Sequence, residues 1–77
     1  MNKSRRKRIE NVIEQLEELQ LEISEIADEE QESYDNLPDN LNDTERANNM
    51  AENIDDLSEL DQEFDSIKDT LQEILER

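Results

Sequence analysis

The chain has 77 residues, with 24 acidic residues against eight basic ones and a formal net charge of −16. It contains no Cys, His or Gly, which excludes disulfides, Cys/His zinc sites, thiol or imidazole catalysis and glycine-rich phosphate loops. Its longest apolar run is two residues, so no segment reads as a membrane span.

Charge is divided unevenly along the chain. Lys3, Arg5, Arg6, Lys7 and Arg8 all precede Ile9, and every acidic residue follows Arg8. From Ile9 onward three basic residues stand against 24 acidic ones, a net of −21. No apolar segment follows the basic start, so it does not read as a secretory signal, and cytoplasmic localisation is the expectation. The basic start invites a nucleic-acid arm. The overall charge disfavours direct nucleic-acid binding, and neutralisation of a neighbouring acidic helix end is the simpler role.

Ile9, Val12, Leu16, Leu19, Ile23 and Ile26 follow in alternating steps of three and four, the rhythm of a helix with a packed seam. Ile13 and Ala27 widen that stripe, and the remaining positions are mostly Glu, Gln and Asp, with no helix breaker. The spacing predicts helix over about residues 4–34.

The connection, about residues 35–42, holds the single proline and follows the single tyrosine. Pro38 disfavours a helical Leu37, and Asn36, Asp39, Asn40 and Asp43 are turn and cap residues. Asn42 with Glu45 fits a capping-box spacing, and Thr44 is an alternative cap. Tyr34, Leu37, Leu41, Ala47 and Met50 are expected to pack together over Ile26 and Ala27.

Met50, Ile54, Leu57, Leu60, Phe64, Ile67, Leu71 and Ile74 then predict a second helix over about residues 43–76. Folding back near residue 40 pairs Ile9 with Leu71, Ile13 with Ile67, Leu16 with Phe64, Ile23 with Leu57 and Ile26 with Ile54. The expected fold is therefore all-α: a single domain over residues 1–77, an antiparallel, coiled-coil-like two-helix hairpin. The apolar stripes are wider than a two-helix contact requires, which predicts pairing into a four-helix bundle, as a homodimer or on another protein.

The segment "ESYDNLPDNLNDTERANNM" resembles an element of small acidic helical proteins from phages and prophages of Gram-positive bacteria. There a similar YDNLP is followed by Ser- or Thr-Glu-Arg and then Met. The matching positions here are Tyr34, Asp35, Asn36, Leu37, Pro38, Thr44, Glu45, Arg46 and Met50, within a segment that is about a quarter of the chain. The rest is similar only as acidic amphipathic helix. The resemblance implies a mobile-element origin and action in a host cytoplasm, and no particular activity.

No motif points to an enzyme, a cofactor or a metal. The Asp and Asn residues of the turn lack the ligand spacing of a calcium loop. Two binding modes remain. In the first, outward carboxylates imitate nucleic acid: Glu10, Glu14, Glu17, Glu18, Glu22, Glu25 and Asp28 on the first helix, and Asp55, Asp56, Glu59, Glu63, Asp69 and Glu73 on the second. A helix of roughly 30 residues is about 45 Å long, and duplex DNA of that length carries roughly 27 charges. The partner would be a host defence or DNA/RNA-processing enzyme that the protein inhibits or redirects. In the second mode the acid is solvent coating, and the hairpin is an assembly module docking through Leu21, Tyr34, Leu37 and Leu41.

Overall fold

The computed structural model describes residues 1–77. Two long helices, α1 (Lys3–Asp35) and α2 (Glu45–Glu76), flank a short 3₁₀ turn, Asp39–Leu41. They fold back on each other as an antiparallel hairpin measuring 60 × 15 × 13 Å. There is no strand.

Local chemistry sets each boundary. Asn2 caps α1, its Oδ1 accepting from the Arg5 amide at 2.8 Å. Pro38 lies extended before the 3₁₀ turn, and its carbonyl accepts from the Leu41 amide. Thr44 caps α2: its Oγ1 accepts from the Ala47 amide at 3.2 Å and donates to the Leu41 carbonyl at 2.7 Å. The alternative cap thus displaces Asn42, which closes the 3₁₀ turn in a helical conformation and so cannot take the extended backbone of an N-cap. α2 begins two residues later than residue 43 for the same reason.

Contacts across the hairpin sum to values near 80. The Gln20 amide donates to Asp61 Oδ1 and Asp65 Oδ1 at 2.8 and 2.9 Å. The Arg6 guanidinium donates to the Leu75 carbonyl. The Asn53 amide donates to Glu30 Oε2 at 2.9 Å. The sums run from 81 to 85, so the fold-back centres near residue 41, just past Pro38.

Which residues form the seam is different from the expectation. On α1 the covered positions are Arg6, Ile9, Ile13, Leu16, Gln20, Ile23, Ala27, Glu30 and Tyr34. Ile13 is buried, whereas its neighbour Val12 is exposed, as are Leu19 and Ile26. On α2 the seam runs through Ala47, Met50, Ile54, Leu57, Phe64, Lys68, Leu71 and Leu75, and it leaves Leu60 and Ile67 exposed. Two expected pairs fail on this count: Ile13 with Ile67, because Ile67 is 50% exposed, and Ile26 with Ile54, because Ile26 is 45% exposed. The cause is angular. Both three-four series fit the same helix, differing by one seventh-residue row, and a two-helix contact covers only one seam at a time.

Only Ile13, Ala47 and Met50 are buried. The hairpin alone has a thin core.

Candidate functional site

No group of three or more carboxylates converges to hold a metal ion. The surface is instead defined by two regions, one strongly charged and one free of acid.

The charged region comprises the outer rows of both helices. Glu10, Glu14, Glu17, Glu18, Glu22, Glu25 and Asp28 are all exposed on α1, and Asp55, Asp56, Glu59, Glu63, Asp69 and Glu73 on α2. Neutralisation is sparse: the one ion pair joins Lys68 Nζ to Asp65 Oδ1 at 3.6 Å. The i,i+4 pair Glu73–Arg77 is not formed. A long rod of unpaired carboxylates therefore carries a negative field well into solvent, limited by salt screening over roughly 8–10 Å.

The basic start is split in use. Arg6 reaches the C-terminal carbonyls of α2, where a cation complements the helix dipole. Arg5 is exposed and makes no ion pair with Glu73 or Glu76.

The turn end is a partial cap. Ala47 and Met50 are buried and Tyr34 and Leu37 half-buried, so these four close the hairpin. Leu41 is 40% exposed and Ile26 lies on the flank, so neither belongs to that cluster as expected. Leu21 stands among charges on the outer face, 62% exposed. The apolar residues proposed for docking are thus scattered: Leu21 is far along the rod from the turn, and Tyr34 and Leu37 are largely spent on packing.

The acid-free region follows from the seam. Arg5, Val12, Leu19, Ile26 and Ser33 recur every seventh residue on α1; Arg46, Asn53, Leu60, Ile67 and Ile74 do so on α2. None of the 24 acidic residues falls in either row. In an antiparallel pair these two rows lie on the same side of the seam, and the groove there brings Ile26, Ser33, Asn53 and Leu57 together, edged by Glu29, Glu30 and Asp56. The opposite groove is lined by Ile23, Ala27, Ile54 and Leu57 together with Ser24, Asp28, Gln31, Ser58 and Asp61. One flank of the rod therefore carries a line of exposed apolar residues, edged by Glu29, Glu30 and Asp56 near Ile26 and by Glu59 and Glu63 near Ile67. Reading each stripe as one wide face hid this flank; the seven-residue recurrence of Val12–Leu19–Ile26 and Leu60–Ile67–Ile74 was the available signal.

Comparison with protein-family models, with curated proteins and with solved structures found no match.

Proposed function

We propose that this protein is a non-enzymatic binding protein of phage type that engages a basic, nucleic-acid-binding surface of a host protein and inhibits or redirects it in the host cytoplasm. The observation that carries this reading is the rod of exposed carboxylates with a single ion pair. Duplex DNA as long as the 60 Å hairpin carries about 35 charges, against the −21 borne from Ile9 onward. The charge density is thus of the same order as that of a duplex, and a basic groove that releases counterions to DNA can release them to this rod. Surface charge of one sign is self-repelling and costs stability, which favours a use in binding over a purely structural role.

The test is capture from a lysate of a Gram-positive host, followed by competition. The account predicts a nucleic-acid-binding protein that is displaced by duplex DNA and by added salt. Capture is also predicted to weaken when Glu14, Glu18, Glu25, Asp55 and Glu59 are changed together to Gln or Asn. Capture that withstands salt, duplex DNA and neutralisation refutes it.

A second reading, a structural or assembly module, is favoured by the acid-free apolar flank. It predicts binding that tolerates charge loss and fails when apolar surface residues are replaced.

A further inference from the structure

We propose that the acid-free flank is covered by a second copy of this chain, packed antiparallel so that α1 lies against α1 and α2 against α2 in a four-helix bundle. The proposal does not depend on the identity of any host target.

The first argument is that the two central rows of the flank hold no carboxylate, so two such acidic chains can meet along them with their carboxylates at the rim. Val12, Leu19, Ile26, Leu60 and Ile67 are exposed there, and Ile74 is half-buried. The hairpin by itself buries three residues, so a second layer supplies the core that the sequence pattern is wide enough to fill. The stretch from Arg5 to Ile26 covers about 32 Å of helix. With the rod's 15 Å width this gives a flat footprint of roughly 500 Å² per copy, or about 1,000 Å² in all, at the lower edge of a specific interface. Association is accordingly concentration-dependent.

The second argument fixes the orientation. Arg5 and Arg8 border one end of the flank, beside Val12. Glu29 and Asp56 border the other, beside Ile26. With the two-fold axis midway between Val12 and Leu19, Val12 of one copy meets Leu19 of the other. Arg5 and Arg8 then come level with the Glu22–Glu29 stretch of the other copy, and opposite charges face each other at both ends of the α1 pair, while on the α2 side Asp56 comes level with Glu73 at the rim. A parallel pairing sets α1 against α2 and brings Glu29 against Asp56 and Arg8 towards Arg77. Unlike Arg6, Arg5 and Arg8 make no ion pair within the hairpin, and the first turn of α1 holds cations where the helix dipole favours acids.

Sedimentation equilibrium and spin-label distances test this, since the chain's lack of Cys allows single labels. The expected result is a mass that rises to twice the chain mass with concentration. Leu19→Glu/Leu60→Glu, and the milder Leu19→Gln/Leu60→Gln, are expected to stay helical and monomeric, whereas Leu21→Glu remains dimeric. Labels at Gln15→Cys are expected within about 15 Å of each other, and labels at Ser33→Cys roughly 50 Å apart, from 1.5 Å per residue about the proposed axis. A monomer at every concentration overturns the proposal, as does a dimer that survives both flank variants. Ser33 labels within about 20 Å would establish the parallel order and overturn the orientation.

Discussion

Exchanging Ile13 and Val12 one at a time for Ala separates the two possible seams. Adjacent in sequence, they are 6% and 43% exposed. Ile→Ala removes three carbons, about 2.4 kcal/mol at ~0.8 kcal/mol each, nearly all of it realised at Ile13. Val→Ala removes two, about 1.6 kcal/mol in full and roughly 0.9 kcal/mol when scaled by the burial of Val12. Ala is the better helix former, which returns about 0.5 kcal/mol in each case. The net losses are about 2 kcal/mol for Ile13→Ala and about 0.4 kcal/mol for Val12→Ala. At about 4–8 °C per kcal/mol for a domain of this size, Tm falls by about 8–16 °C for the first and by under about 4 °C for the second. Thermal and urea unfolding followed by circular dichroism at low micromolar chain, where flank contacts between copies are least populated, reads both. Equal losses, or a larger loss at Val12 under those conditions, would refute the seam described here.

Other expectations follow from the same geometry. Thr44→Ala is expected to lose about 1 kcal/mol in urea unfolding through the missing N-cap, while Asn42→Ala changes stability by under about 0.5 kcal/mol. Arg6→Ala is expected to lower stability by about 0.3–1 kcal/mol by uncapping the end of α2, and Arg5→Ala to leave the dilute chain unchanged. Raising sodium chloride from 10 to 300 mM is expected to raise Tm, because screening relieves repulsion that one ion pair does not offset; a falling Tm would contradict that reading.

The hairpin was legible in the sequence because three signals coincide: the three-four rhythm on both sides, Pro38 with its turn residues, and apolar pairs that sum to about 80. Helix bounds came within one residue at both ends of α1 and two residues at the start of α2. The choice between Val12 and Ile13 as seam residues was not legible, since both are β-branched apolar residues and either series makes a regular stripe. Contacts from the opposite helix decide it. Gln20 shows the same limit: its spacing places it beside the apolar stripe with Ile13 and Ala27 but names no partner, and in the hairpin it hydrogen-bonds Asp61 and Asp65 and anchors the register. The outward carboxylates were legible from helical periodicity alone, and all thirteen are exposed. The isolation of Arg5 was not, because the side-chain reach that separates it from Arg6 depends on where α2 ends.

The central claim, that the carboxylate rod does the binding, is tested most directly by the salt dependence of affinity for the captured partner. Binding of the intact chain and of the five-site neutralised variant should be titrated between 50 and 300 mM salt. The account predicts a steep linear fall of log affinity with log salt for the intact chain and a shallower slope, from a weaker start, for the variant. Slopes that are flat and equal for the two chains would contradict it and assign the binding to apolar surface.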